Sequence, residues 1–66
     1  MKTVLVNGEG RTTQAETVAA LAEELDPAPQ TLLIEHNGEA LLRNEWDARP
    51  LADGDRIEVL KVAAGG

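Results

Sequence analysis

The sequence predicts an α+β domain in which a small mixed sheet packs against one helix. Three observations support this prediction: runs rich in β-branched residues lie near both ends of the chain, Asn-Gly pairs mark tight turns, and one segment has helical periodicity. Strands grouped around a lone helix are typical of two-layer α+β domains. The length of 66 residues leaves room for one small domain.

The first element is a predicted β-hairpin. Residues 3–6 are rich in β-branched side chains and lead directly into Asn7-Gly8. An Asn-Gly pair favours a type I′ turn, because both central positions of that turn need a positive φ. Residues 11–15 are then the return strand, and their weak apolar content places them at a sheet edge.

A helix is predicted at residues 17–25. Apolar side chains recur there at i, i+3, i+4 and i+7 and form one stripe, which consists of Val18, Leu21, Ala22 and Leu25. Thr17 is placed to act as the N-cap, and Glu23-Glu24 is expected to face water. The segment Asp26-Pro27-Ala28-Pro29 ends the helix, since proline cannot continue it.

The second half of the chain is predicted to contain three more strands. The elements follow in this order: a strand at 31–36, the turn Asn37-Gly38, a short strand at 39–42, a loop at 43–50 with a helical turn around Trp46, the turn Asp53-Gly54-Asp55, and a strand at 56–62. The first and last strands are the richest in β-branched residues, so we place them side by side in the centre of a sheet of four to five strands. This arrangement is the β-grasp.

The last strand is predicted to have two different faces. Ile57 and Val59 point to one side, and Glu58, Leu60 and Val62 point to the other. If the helix covers Ile57, then Leu60 and Val62 lie on an open sheet face. The alternative is that a neighbouring loop covers both of them.

Composition and charge exclude several kinds of site. Cysteine is absent, which excludes a disulfide framework, a thiolate zinc site and an iron–sulfur cluster. The lone histidine, His36, makes any metal site dependent on carboxylates, and none is predicted. A net charge of −6 has the wrong sign for autonomous binding to nucleic acid or to an anionic membrane. The sequence has no apolar run near 18 residues, and its N-terminus turns polar too soon for a signal peptide, so we expect a cytoplasmic protein. We also expect it to be a monomer when free.

The remaining conspicuous side chains have simple structural interpretations. No serine, cysteine or ordered carboxylate accompanies His36 in a catalytic spacing, so no catalytic residue is predicted. Trp46 is expected to anchor its loop against the core. Asp53 and Asp55 are expected to shape a turn rather than to bind a metal ion.

The Gly65-Gly66 tail is the most informative feature of the sequence. We divide the chain into a domain at 1–62 and a flexible tail at 63–66. A frayed terminus is the simpler interpretation of such a tail. However, glycine has no β-carbon, so a slim tail could also thread a narrow channel and present its carboxylate to the α-phosphate of ATP.

The whole chain resembles the ThiS family, the sulfur carrier proteins of thiamine biosynthesis within the ubiquitin-like β-grasp superfamily. The stretches that carry this resemblance are Val4-Leu5-Val6-Asn7-Gly8, Thr17-Val18 with Leu21 and Leu25, Asn37-Gly38 followed by Arg43 and Trp46, Leu51-Ala52-Asp53-Gly54-Asp55-Arg56-Ile57, and Gly65-Gly66. Two stretches depart from the family pattern. Leu41-Leu42 replaces a frequent Val-Pro, and Glu35-His36 is more polar than the usual end of the third strand.

The resemblance implies a protein substrate and not an enzyme. An E1-like adenylyltransferase would use ATP and Mg²⁺ to adenylate the Gly66 carboxylate, and a persulfide sulfur donor would convert the adenylate to a thiocarboxylate. Thiazole synthase would then take the sulfur. Gly65 would lie flat in the enzyme's channel, while Leu60 and Val62 would form the apolar centre of the docking face with Glu58 on its rim. No cofactor is expected on the carrier itself.

Other functions remain open from the residues alone. A thiocarboxylate carrier of this kind could serve molybdopterin, cysteine or thio-natural-product synthesis instead. The same tail would suit a ubiquitin-like modifier that is attached to target lysines. A β-grasp interaction module with an inert tail is the third possibility.

Overall fold

The computed structural model describes residues 1–62, which form five strands, one α-helix and two short 3₁₀ helices. The strands are β1 (Lys2–Val6), β2 (Glu9–Thr13), β3 (Leu32–His36), β4 (Glu39–Leu41) and β5 (Arg56–Lys61). The helix α1 spans Val18–Leu25, and the 3₁₀ helices span Pro29–Thr31 and Arg43–Ala48. The order of the strands and α1 is the predicted one, whereas the 3₁₀ helix at Pro29–Thr31 was not predicted. The Gly65-Gly66 tail lies outside the described residues.

The five strands form one mixed sheet in the order β2-β1-β5-β3-β4. β1 and β5 pair in parallel, although they come from opposite ends of the chain, and the other neighbouring strands pair antiparallel. The first and last strands therefore lie side by side, as predicted, and β5 is central. With α1 packed on one face, this is the ubiquitin-like β-grasp.

Both Asn-Gly turns have the backbone geometry that the sequence predicts. The φ angles are +51° and +84° in Asn7-Gly8, and +51° and +86° in Asn37-Gly38. A pair of positive φ angles matches the twist of a type I′ hairpin, which glycine and asparagine tolerate best. These turns therefore fix the register of β1 with β2 and of β3 with β4.

The two turn asparagines also bind the central strand with their side chains. Asn7 donates through Nδ2 to the Val59 carbonyl at 3.1 Å and accepts through Oδ1 from the Val59 N–H at 2.8 Å. Asn37 accepts through Oδ1 from the Arg56 N–H at 2.8 Å. β5 is thus held by a hairpin turn on each side.

The return strand β2 begins and ends two residues earlier than predicted, at Glu9–Thr13 instead of 11–15. Thr13 explains the difference, because its hydroxyl accepts the Ala15 N–H at 2.9 Å and donates to Glu24 at 2.8 Å. These bonds turn the chain from the sheet towards α1 and bury Ala15 in the core. Glu24 is exposed, as predicted, and in addition it accepts this hydrogen bond from Thr13.

The core lies between α1 and the sheet. Its largest fully buried side chains are Trp46, Leu21, Ile57, Val4 and Val18. The N-cap prediction is confirmed, since Thr17 Oγ1 accepts the Ala20 N–H at 3.1 Å. The second 3₁₀ helix carries Trp46 into this core, and the Arg43 guanidinium lies over the indole ring, 4.5 Å from its centroid. The predicted role of Trp46 as an anchor is confirmed.

Candidate functional site

The sheet face opposite α1 carries exposed apolar side chains. Leu60 is 65% exposed and Val62 is 40% exposed, so neither is covered by a loop in the part of the chain described. Leu33 on β3 lies directly opposite Leu60 on β5 and is 57% exposed. Exposed apolar patches of this kind mark interaction surfaces. The role of Leu60 and Val62 in docking stays a prediction.

An acidic pair lies next to these leucines. Glu35 on β3 is directly opposite Glu58 on β5, one step along the same face from the Leu33–Leu60 pair. Together with Ala40 on β4, these four residues line a shallow groove in the sheet face. Glu58 lies next to Leu60 along the outer side of β5 and lines this groove, and its predicted place on the rim of the docking face stays a prediction. We call the pair Glu35 and Glu58 the acidic pair.

The root of the tail is fixed at the end of β5. The Val62 N–H donates to the Thr31 carbonyl at 2.8 Å, which continues the pairing between β5 and the start of β3. Lys61 donates through Nζ to Asp26 Oδ2, also at 2.8 Å, and this hydrogen bond holds the pKa of Asp26 below its usual value. The chain therefore reaches residue 62 at a defined position beside the groove. Gly65 and Gly66 lie beyond it, outside the described residues.

A polar network surrounds His36 at the other end of β3. His36 is buried and places Nε2 2.7 Å from Asp55 Oδ2, while its Nδ1 lies 3.4 Å from Arg49 Nη1. Because a guanidinium can only donate, Nδ1 accepts and Nε2 donates. Arg49 also binds both carboxylate oxygens of Glu39 at 3.0 Å, which lowers the pKa of Glu39 and raises that of Arg49.

Asp55 is the acceptor that organises this network. Burial alone raises the pKa of its carboxyl group, but hydrogen bonds from His36, the Ala52 N–H and Asn37 outweigh burial and hold that pKa below its usual value. The carboxylate also accepts the Ala52 N–H at 2.8 Å and thereby closes the predicted turn. The sequence spacing does not indicate that the chain folds Asp55 against His36. Because Arg49 and not a nucleophile lies at the other ring nitrogen, the pair does not make a catalytic triad.

The His36 network lies near the opposite end of β5 from Val62, the last described residue. His36 pairs with Ile57 at the start of β5, whereas Val62 follows its end. Five residues of strand correspond to about 16 Å. The bonds from His36 and Asp55 join β3 to the turn that precedes β5.

The structure also identifies surface residues that the sequence analysis missed. Leu33 and Glu35 alternate with the buried Leu32, Ile34 and His36 along β3. This alternation is visible in the sequence only once the register and the covered face are known. Leu5 on β1 is 40% exposed and adds a further apolar side chain beside the central strand.

The described residues contain neither a cluster of metal ligands nor a helix that could span a membrane. Within residues 1–62, no three His, Asp or Glu side chains come together as a metal site. The helices of that same region include none that is both long and apolar enough to cross a membrane.

Comparisons with known proteins agree with one another. The model of the ThiS family matches residues 4–66. A sulfur carrier protein ThiS from Thermus thermophilus is 36% identical over 63 residues, which cover 96% of this chain and 98% of that protein. A crystal structure of the thiamine biosynthesis protein ThiS from Geobacter metallireducens is similar with a TM-score of 0.77 and 37% identity, covering 97% of this chain and 99% of that one. The span that matches the family model includes both the open sheet face and the Gly65-Gly66 tail.

Proposed function

Because the chain belongs to the ThiS family, it is a sulfur carrier protein of thiamine biosynthesis, and we propose that it carries the sulfur as a thiocarboxylate on Gly66. A protein of this family is a carrier that acts with partner enzymes and is not itself an enzyme. The observation that carries the proposal is the family match, which extends through the Gly65-Gly66 pair.

The proposed chemistry begins with activation of the carboxylate. An oxygen of the Gly66 carboxylate attacks the α-phosphorus of ATP on an E1-like adenylyltransferase. The bond to the outer two phosphates breaks, and pyrophosphate leaves with Mg²⁺. The product is an acyl-adenylate, in which AMP is a good leaving group.

Sulfur then replaces AMP on the acyl carbon. The terminal sulfur of a persulfide donor attacks that carbon, AMP leaves, and an acyl disulfide remains. A second thiol then attacks the acyl disulfide at the sulfur that is bonded to the donor. The S–S bond breaks, and the donor and the second thiol become joined in a disulfide. The sulfur bonded to the acyl carbon stays on Gly66 as the thiocarboxylate. Thiazole synthase is the proposed acceptor of this sulfur.

The composition of the chain suits this chemistry. Cysteine is absent, so no internal thiol competes for the activated carbon. Gly66 has no β-carbon to shield its carbonyl from the incoming persulfide, and Gly65 leaves the backbone narrow enough for a channel. ATP and Mg²⁺ are bound by the enzyme, and the carrier supplies only the carboxylate and a docking surface.

The docking surface of the proposal is the open sheet face. Leu60 and Val62 supply exposed apolar area, and Glu58 supplies a charge beside it. Interfaces commonly place apolar side chains at the centre and polar ones around them. The root of the tail lies at the end of the same strand, so an enzyme bound there would have the tail within reach.

The first test is the intact mass of the protein purified from its host, with an alkylation step that traps a thiocarboxylate. We expect a fraction in which one oxygen is replaced by sulfur, and we expect fragmentation to place that change on Gly66. If only the free acid is found, the protein is incubated with ATP, Mg²⁺, a persulfide donor and a ThiS-activating adenylyltransferase. Sulfur on another residue, or no adenylate and no thiocarboxylate after this incubation, contradicts the proposal.

A deletion supplies the matched test of the tail. Removal of Gly66 should abolish adenylation and leave the melting temperature of the protein unchanged. The control is Ala64→Gly, which changes the tail but keeps the terminal glycine, and we expect it to be adenylated at the normal rate. Normal sulfur transfer by the Gly66 deletion would favour the inert tail instead.

A further inference from the structure

We propose that the acidic pair, Glu35 and Glu58, receives one arginine side chain from the activating enzyme. This inference rests on the proposed function for the identity of the partner. It concerns the middle of the sheet face, which the proposed function uses for docking, and not the tail that carries the sulfur.

The acidic pair is unfavourable in the free protein. The register places Glu35 and Glu58 directly opposite each other on adjacent antiparallel strands, and like charges in that position destabilise a sheet. Both side chains are exposed, and no Lys or Arg within residues 1–62 forms an ion pair with either. The structure therefore keeps two adjacent negative charges without a compensating cation.

A bound cation would remove this repulsion and gain two charge-assisted hydrogen bonds. A guanidinium suits the site better than an ammonium, because its planar fork donates along two edges and can bridge two carboxylates. The apolar stem of the arginine would lie over Leu33 and Leu60, which are the next pair along the strands.

The surroundings favour a protein partner over a free ion. The groove beside the acidic pair is lined by Leu33, Leu60 and Ala40, which would be buried by a side chain with an apolar stem. No third acidic or histidine ligand joins the pair within residues 1–62 to complete a metal site. The net charge of −6 also favours a basic partner surface.

The first experiment measures the stability of the free carrier. Glu35→Gln and Glu58→Gln each remove the repulsion, so each should raise the melting temperature by about 2–4 °C. Glu23→Gln is the matched control, because Glu23 is exposed on α1 and the substitution changes the net charge equally. Its melting temperature should stay near that of the wild type. A melting temperature that falls in both acidic-pair variants overturns the inference.

The second experiment measures binding of the same variants to the adenylyltransferase by calorimetry and by ATP–pyrophosphate exchange. Each acidic-pair variant should bind at least about tenfold more weakly, as expected for the loss of a hydrogen bond to a charged group. The KM for the carrier should rise by the same factor as the dissociation constant. The kcat should be unchanged, because neither glutamate carries the reacting carboxylate. The Glu23→Gln control should bind like the wild type. The signature of the site is a variant that is more stable but binds less well.

The outcomes separate the inference from the proposed function. If the acidic-pair variants bind as tightly as the wild type and are adenylated normally, the inference is wrong and the proposed function stands. If these variants bind more weakly but even the wild type forms no adenylate, the inference stands and the proposed function is wrong. If the wild type does not bind the enzyme, both are wrong. Stabilisation of the wild type by Mg²⁺ alone, lost in Glu58→Gln, would assign the pair to a metal ion and overturn the inference.

Discussion

Asp55 connects three parts of the chain through single hydrogen bonds. Its carboxylate accepts from His36 at the end of β3, from Asn37 in the following turn and from the Ala52 N–H of its own turn. These contacts hold the entrance of the central strand. Asp55 therefore has a structural role at the start of β5.

The substitution Asp55→Asn should lower the free energy of unfolding at pH 7 by about 1–2 kcal/mol, because it removes the charge that strengthens these hydrogen bonds. The pKa of Asp55 is held below 3.8 in the folded protein, so its contribution is fully present above that pH and is lost as the pH falls through the folded pKa. The difference between variant and wild type should therefore shrink below pH 3.8. Urea unfolding at several pH values measures it.

The control for this prediction is Asp47→Asn. Asp47 is exposed in the second 3₁₀ helix and has no side-chain hydrogen bond within the described residues. Its substitution should change the free energy of unfolding by less than about 0.5 kcal/mol at every pH. Equal losses in the two variants would show that the Asp55 contacts contribute nothing specific.

At the scale of elements, β5 joins the fold to the proposed function. It is paired on both sides, held by the side chains of Asn7 and Asn37, and followed directly by the root of the tail. Its core side carries Ile57, and its outer side carries the exposed Leu60. A rigid strand of this kind can present a docking surface without rearrangement.

The substitution Leu60→Glu tests this surface. Since Leu60 is already exposed, the variant should keep a near-native fold, with a free energy of unfolding within about 1 kcal/mol of the wild type. A charge in the apolar centre of the interface should raise the KM of the adenylyltransferase for the carrier by about tenfold or more. ATP–pyrophosphate exchange at a series of carrier concentrations measures this effect.

The matched control is Leu42→Glu. Leu42 is 69% exposed, similar to Leu60, but it lies outside the strands, between β4 and the second 3₁₀ helix. We expect normal adenylation of this variant. Equal adenylation of the Leu60→Glu protein and the wild type would exclude Leu60 from the docking face.

The molecule as a whole depends on a small core. A chain of 66 residues gains only about 3–5 kcal/mol of net stability from a single core. Trp46 is its largest fully buried side chain and joins the second 3₁₀ helix to α1 and the sheet. One large truncation can therefore remove most of the stability.

We predict that Trp46→Ala is largely unfolded, since truncation of a buried tryptophan costs about 3–5 kcal/mol. Far-UV circular dichroism in urea measures the loss, because it does not depend on the indole. Trp46→Phe is the matched variant and should remain folded. It keeps an aromatic ring and removes a buried Nε1–H that has no hydrogen-bond partner within residues 1–62. A wild-type urea midpoint for Trp46→Ala would contradict this view of the core.

Most of the fold can be predicted from local signals in the sequence. The Asn-Gly pairs, the apolar stripe of the helix and the alternation of the last strand are local signals, so they placed nearly every element within two residues. The tail and the family resemblance likewise depend only on the order of residues. The bounds of β2 were wrong because the hydroxyl of Thr13 binds Glu24 and turns the chain, which is a contact between distant residues.

Which side chains meet depends on the folded arrangement of the strands. The sequence contains Glu35 and Glu58, and also His36 and Asp55, without any sign that the members of each pair are neighbours. Their contacts depend on the register of β3 with β5, and a shift of one residue would move these side chains to the opposite face. The acidic pair and the His36 network could therefore be identified only in the folded molecule, because register is set by the packing of the whole sheet on α1.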